Sequence, residues 1–186
     1  MPFVFKPLTA ETWKPFETLF GPRGACGGCW CMAWRLSKKE FDEAKGEGNK
    51  TKIRKLVKRG DDIGVLAFDG SIPAGWCAVA PREKYIRLEN SRVLKPVDAK
   101  PVWSVSCFFV AKAYRRKGLS VKLLKAAVDF AASRGATIVE GYPVVPAGKK
   151  MPDVFAWTGI LSSYLKAGFV EEKRNSPARP IVRFYL

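Results

Sequence analysis

The sequence contains no histidine. That absence removes the imidazole as general base, as partner of a serine or cysteine nucleophile, and as metal ligand. Acid is scarce too, with 17 Asp and Glu against 33 Lys and Arg, a formal charge of +16. No apolar run approaches the length of a membrane span. The opening Met1-Pro2-Phe3-Val4-Phe5-Lys6-Pro7 lacks the apolar stretch of a signal peptide, so the expectation is a cytoplasmic protein without membrane association. The cysteines number five, an odd count, and cytosolic thiols stay reduced, so no disulfide framework is expected. No internal repeat or low-complexity tract divides the 186 residues, and the expectation is one domain over residues 1–186.

Hydrophobic residues at 47% and charged residues at 27% describe an ordinary globular chain. The basic excess attracts polyanions, whether nucleic acid, acidic protein surfaces or phosphorylated small molecules, without selecting among them. A solvated basic surface is its simplest meaning. No nucleic-acid motif and no basic strand interleaved with aromatics accompanies the charge, so nucleic acid is not expected as a partner.

The apolar pattern predicts a helix over Thr9–Phe20, starting late because of Pro15. Ser37-Lys38-Lys39-Glu40 is a capping box opening a second helix, interrupted at Gly46-Glu47-Gly48-Asn49 and resumed over Lys50–Arg59. Ile63–Phe68 and Ala74–Ala80 read as a hairpin turning at Asp69-Gly70. Pro81–Lys100 reads as a short helix and a loop, and Val102–Val110 as a central strand. Leu119–Ser133 carries a helical stripe of Leu123, Leu124, Ala127, Val128 and Ala131 that stops at Gly135. A strand over Ala136–Glu140, a helix over Phe155–Ala167 and strands over Phe169–Lys173 and Pro180–Leu186 complete a mixed α/β sheet.

The junction Val110-Ala111-Lys112-Ala113-Tyr114-Arg115-Arg116-Lys117-Gly118-Leu119-Ser120 joins a buried strand to an amphipathic helix through a short basic turn. Unpaired N–H groups and the positive end of the helix dipole make such a start a phosphate site. Gly118 admits a ligand close to the backbone, Arg115, Arg116 and Lys117 bring charge, and Ser120 offers a hydroxyl. A plain loop with solvated basic residues is the alternative.

Arg115-x-x-Gly118-x-Ser120 resembles the acetyl-CoA pyrophosphate motif R/Q-x-x-G-x-G/A of the GCN5-related N-acetyltransferases, departing from it at the final serine. Ser162-Ser163-Tyr164-Leu165-Lys166-Ala167-Gly168-Phe169 looks like that family's late-helix signature, and the element order matches over nearly the whole chain. The cysteine stretch described next, with Glu140-Gly141-Tyr142-Pro143-Val144, is similar to a poorly characterised branch of the superfamily. The resemblance implies a mixed central sheet with helices on both faces and central parallel strands splayed to hold acetyl-CoA. Phe108, Phe109 and Val110 would then bind the pantetheine arm in the manner of an added strand. The amides from Arg115 through Arg116, Lys117, Gly118 and Leu119 to Ser120 would hold the pyrophosphate. Tyr164 would be the general acid, packing being its alternative role. Glu140 and Asp153 are the candidates for a base, and a water chain would need neither.

Three of the five cysteines lie in Ala25-Cys26-Gly27-Gly28-Cys29-Trp30-Cys31-Met32-Ala33-Trp34-Arg35. A zinc site would need a fourth ligand from Cys77, Cys107 or a carboxylate, and no second C-x-x-C exists. A redox pair of Cys26 and Cys29 lacks the strand-to-helix setting of thioredoxin-like motifs. The resemblance puts this loop over the acceptor side, where Cys29, Cys31 and Trp34 would wall the pocket and Arg35 would bind an acidic group. Plain core packing is the other reading, and no metal is expected. The implied activity is acetyl transfer to an amine of a small molecule or protein by a monomer or homodimer. The alternatives are a CoA-binding module without catalysis and a nucleic-acid-associated basic protein.

Overall fold

A computed structural model describes residues 2–146 and 152–186, apart from the side chains of residues 153 and 154. The chain opens with a strand that the apolar pattern does not announce, β1 (Val4–Pro7), pairing antiparallel with β2 (Gly64–Asp69). The helix α1 (Trp13–Phe20) begins four residues later than the periodicity suggests. Thr9 and Thr12 close a turn first: the Thr9 N–H donates to Thr12 Oγ1 at 2.8 Å, and that hydroxyl donates to the Pro7 carbonyl at 2.7 Å. Pro15 falls in the first helical turn, where its missing N–H costs nothing.

The capping box is formed as its sequence predicts. Ser37 Oγ accepts the Glu40 N–H at 3.3 Å, Glu40 Oε2 accepts the Ser37 N–H at 3.0 Å, and α2 spans Lys38–Glu43. The glycines after it open a helix instead of interrupting one, because α3 (Glu47–Lys58) starts directly after Gly46. Gly46 adopts φ +80, and Gly28 packs so closely on it that a Cβ there would lie 2.5 Å from the Gly46 nitrogen. Buried Asn49 ties the two segments by donating its amide to the Gly28 carbonyl at 3.1 Å.

The strand β3 (Ile72–Pro81) returns from β2 through the Asp69-Gly70 turn and pairs antiparallel with β4 (Trp103–Val110). Between them α4 (Ile86–Glu89) is a single turn. In the β3–β4 ladder Ala78 faces Cys107 and Val79 faces Val105, which leaves Ser106 as an extra residue in a bulge. The helix α5 (Leu119–Ser133) has the expected bounds, followed by β5 (Ile138–Gly141), α6 (Leu161–Lys166), β6 (Val170–Arg174) and β7 (Pro180–Tyr185). Of the segment expected to be helical over Phe155–Ala167, only Leu161–Lys166 forms α6. Asp153–Ala156 makes a short 3-10 turn, and Ile160 is extended at φ −101, ψ 146.

The described residues form a seven-stranded sheet of order β1-β2-β3-β4-β5-β7-β6, antiparallel except at β4–β5. Strand alternation sorts side chains to two faces. Val65, Ala67, Cys77 and Val79 meet the buried stripe of α5 and the Tyr164 side of α6, while Leu66, Phe68, Trp76 and Ala78 meet α1 and α3. Each fully buried Leu, Val or Phe in these layers contributes about 1.5–3 kcal/mol relative to exposure.

Candidate functional site

The parallel ladder of β4 and β5 holds for three residue pairs, ending at Val105–Gly141. Beyond it the two strands part. Into the opening runs the chain from Trp157 to Leu161, hydrogen-bonded to both sides. The Phe108 N–H donates to the Trp157 carbonyl at 2.6 Å, the Val144 N–H to the Gly159 carbonyl at 2.9 Å, and the Leu161 N–H to the Val144 carbonyl at 3.1 Å. Beside this wedge lies a cavity of about 1120 Å³, just above the usual range of roughly 300–1,000 Å³ for small-molecule pockets.

One end of the cavity is the basic turn. Arg115 folds back to donate Nε to the Val110 carbonyl at 2.9 Å, and Arg116 adopts φ +59. Gly118 follows at φ +73, with nothing within 4 Å of where a Cβ would sit. The Val121 N–H is the first of α5 to bond within the helix, to the Gly118 carbonyl at 3.1 Å. The preceding amides of the turn have no intrahelical acceptor, as at any helix start. Ser120 Oγ lies 3.2 Å from Ser163 Oγ. Phe108, Phe109, Val110, Arg115, Arg116, Gly118, Leu119 and Ser120 all border the cavity; exposed Lys117 does not. Alternation along β4 puts the Val110 N–H on the same edge as that of Phe108. The chemistry present fits an anion at the helix start and an extended amide chain along the β4 edge.

Tyr164 does not border this cavity. Its ring is fully buried edge-on to Phe108 and Phe169, with centroids 6.1 and 5.1 Å away. A Cβ on Gly141 would come within 2.1 Å of the ring and one on Gly159 within 2.7 Å, so two glycines make its slot. The hydroxyl donates to the Thr158 carbonyl at 3.1 Å, and burial pushes the phenol well above its ordinary range.

The other end holds the cysteine stretch, which is an irregular run and not a helix start. Ala25, Trp30 and Cys31 adopt φ of +65, +43 and +58, an uncommon cluster of left-handed non-glycine residues. Trp30 packs into the core on Phe20, 5.5 Å between centroids. Cys31 Sγ accepts the Trp76 indole N–H at 3.1 Å, and Cys29 Sγ reaches the Gly24 carbonyl at 3.7 Å. Cys26, Cys29, Cys31, Trp34 and Cys107 border the cavity, whereas Arg35 does not. Among the described residues no three His, Cys, Asp or Glu side chains are grouped to hold a metal ion. Burial raises the thiol pKa of Cys29, and a hydrogen bond to Cys31 together with burial raises that of Cys107.

Glu140 is corrected as a base candidate. It is fully buried away from the cavity, with Oε1 accepting Arg82 Nη1 at 3.1 Å and the Tyr142 hydroxyl at 2.8 Å, and Oε2 accepting Arg183 Nε at 2.8 Å. Three hydrogen bonds from within the protein hold its two oxygens, and the side chain does not border the cavity. The side chain of Asp153 lies outside the described part of the structure. Sequence reasoning missed Trp157, Thr158 and Cys107 as residues of the site. Gly159, at φ +82, was the available sign that the helix expected over Phe155–Ala167 is broken there.

The profile of the Acetyltransferase (GNAT) family matches residues 30–147. No curated protein matches the chain in sequence. Among solved structures, the PaiA N-acetyltransferase of Thermoplasma acidophilum in complex with coenzyme A superposes with TM-score 0.55 at 15% identity, covering 100% of both chains. A chain of the NatC complex bound to Gag peptide and CoA gives 0.54 at 16%, covering 100% of this chain and 99% of the other. AAC(6')-Iy with the bisubstrate analogue CoA-S-monomethyl-acetylneamine gives 0.54 at 13%, covering 94% and 95%.

Proposed function

Since the chain belongs to the Acetyltransferase (GNAT) family, we propose that it is an acetyl-CoA-dependent N-acetyltransferase. The observation that carries this reading is one cavity bordered both by the stretch of β4 at Phe108–Val110 that β5 does not pair and by the start of α5 at Gly118–Ser120. When bound, acetyl-CoA supplies an acetyl thioester, whose C–S bond breaks as the acceptor's C–N bond forms, the nitrogen giving up a proton and the departing sulfur gaining one.

The protein's own groups divide the work. The amides of the Arg115–Ser120 turn hold the pyrophosphate, with the Arg115 and Arg116 side chains adding charge. The main chain of Phe108, Phe109 and Val110 holds the pantetheine arm as an added strand would be held. Tyr164 donates the proton to the departing sulfur once its hydroxyl leaves the Thr158 carbonyl. Trp157 and Thr158 are adjacent, so a single withdrawal of that stretch frees the Phe108 N–H and the Tyr164 hydroxyl together. At the far end Cys29, Cys31 and Trp34 form the wall against which the acceptor lies. Similar structures were solved with a peptide and with a small-molecule analogue, and both classes of amine enter the proposal.

A second reading, CoA binding without turnover, is favoured by the engagement of both groups by the Trp157 and Thr158 carbonyls. Free CoA release is to be followed over a panel of small-molecule and peptide amines. Release matched by acetylated amine is the expected result. Tight acetyl-CoA binding with no amine-dependent release would leave only the binding module.

A further inference from the structure

Arg35 is a buried cation without a counter-ion among the described residues. Only 8% of it is exposed, and no carboxylate among the described residues lies within ion-pair distance of it. Its guanidinium stacks 4.8 Å from the centre of the Tyr85 ring, and Nη2 is buried with no hydrogen-bond partner. Trp34, next in the chain and part of the cavity wall, has the same deficit at its indole Nε1. The other guanidinium nearby, Arg87, lies 5.7 Å from the centre of the Trp34 ring and donates Nη1 to the Ala33 carbonyl at 3.0 Å.

An arginine cannot escape burial by losing its proton. Water can satisfy a donor but does not neutralise the charge, and a buried ion carries a large desolvation penalty unless it is paired. Two adjacent residues thus each bury a donor that has no acceptor among the described residues, and one of the two donors is cationic. Trp34 borders the cavity, its ring 5.5 Å from that of Trp157 at a 30° tilt, and Arg35 follows it in the chain.

We propose that Arg35 and the Trp34 indole N–H form a subsite for a carboxylate carried by the acceptor, so that the substrate is an amine bearing an acid. The inference rests on the acetyltransferase reading of the cavity and names its substrate class. Arg35 takes the carboxylate through its planar fork, and the tryptophan pair accommodates an apolar or aromatic body between acid and amine. Free amino acids and acidic peptides share this chemistry.

The test compares matched amines on the wild type, Arg35→Met and Arg35→Lys. The probes are phenylalanine, phenylalaninamide and phenethylamine, with an acidic dipeptide and its amide as the peptide arm. The acid of a pair is expected to exceed its amide in kcat/KM by a factor of roughly 10 to 150, the range for a hydrogen bond to a charged group. Arg35→Met should abolish that preference through KM with acetyl-CoA affinity intact, and Arg35→Lys should restore part of it. Equal rates for acid and amide in both arms would overturn the subsite while leaving the acetyltransferase reading in place.

If no amine is turned over, that reading fails and the subsite is decided by binding. Quenching of tryptophan fluorescence by phenylalanine but not phenylalaninamide, lost in Arg35→Met, supports it; no difference between the two overturns it. Stability supplies an independent check, because relieving an unpaired buried charge should leave Arg35→Met as stable as the wild type or more so. A markedly lowered Tm with the acid preference unchanged would make Arg35 a packing residue and overturn the proposal.

Discussion

The carbonyl of Trp157 accepts the N–H of Phe108 at 2.6 Å across the gap where β4 and β5 part, and the next carbonyl, that of Thr158, accepts the hydroxyl of Tyr164 at 3.1 Å. Buried donors are costly to leave unmet, so this stretch satisfies the strand edge as long as no ligand does. A ligand lying along β4 must bring its own acceptor for Phe108. Addition of acetyl-CoA should therefore speed hydrogen exchange at residues 157–159 while the Phe108 amide stays protected with its acceptor exchanged. Stronger protection throughout residues 157–159 would show that the stretch stays in place.

Tyr164→Phe separates chemistry from packing. The hydroxyl makes one buried hydrogen bond, and its loss should cost about 1 kcal/mol in stability, read by denaturant titration. If the hydroxyl also protonates the departing sulfur, kcat should fall by about 100-fold or more with acetyl-CoA affinity unchanged. Unchanged kcat beside the small stability loss would confine Tyr164 to its slot between Gly141 and Gly159.

The parts of this fold that are visible in the sequence are those fixed by local order. Leu119–Ser133 shows its stripe, its glycine stop and the basic turn before it, so α5 is anticipated with its bounds. The strand β1 is not, because its four residues acquire meaning only through pairing with β2 about sixty positions later. The wedge at Trp157–Leu161 is hidden for the same reason, its partners being Phe108 and Val144. Spacing also misleads at the cysteines. Thiolates two and three positions apart suit a metal in a regular turn, but in this irregular run the Cys31 sulfur accepts the Trp76 indole N–H and the Cys29 sulfur reaches the Gly24 carbonyl.

Glu140 joins two buried arginines from distant parts of the chain, Arg82 after β3 and Arg183 in β7. Arg82 also donates to Glu89 at 2.8 Å and to the Leu88 and Leu94 carbonyls at 3.2 and 2.7 Å, so the network pins the loop after β3 to the sheet. Glu140→Ala leaves two buried guanidinium groups short of an acceptor and should cost about 3–5 kcal/mol. Calorimetry should show a large fall in Tm. A change within about 0.5 kcal/mol, the range of an ordinary surface substitution, would contradict the structural role given to Glu140.

Asp98 extends that network outward, accepting Arg183 Nη1 at 2.7 Å and Nη2 at 3.1 Å. This bidentate pairing, helped by the Lys100 N–H at 3.0 Å, lowers its pKa from 3.8 to about 2. The folded state therefore holds the charged carboxylate more strongly than the unfolded chain does. The stabilisation is fully present above the unfolded value of 3.8 and is lost as pH falls through the folded value of about 2. Asp98→Asn removes the charge at every pH. The stability difference between wild type and Asp98→Asn should be constant from neutral pH down to about 5, then shrink between about 4 and 2. Denaturant titrations of both proteins over that range measure it. A difference that stays constant through acid would mean that Asp98 and Arg183 do not hold this ion pair in solution.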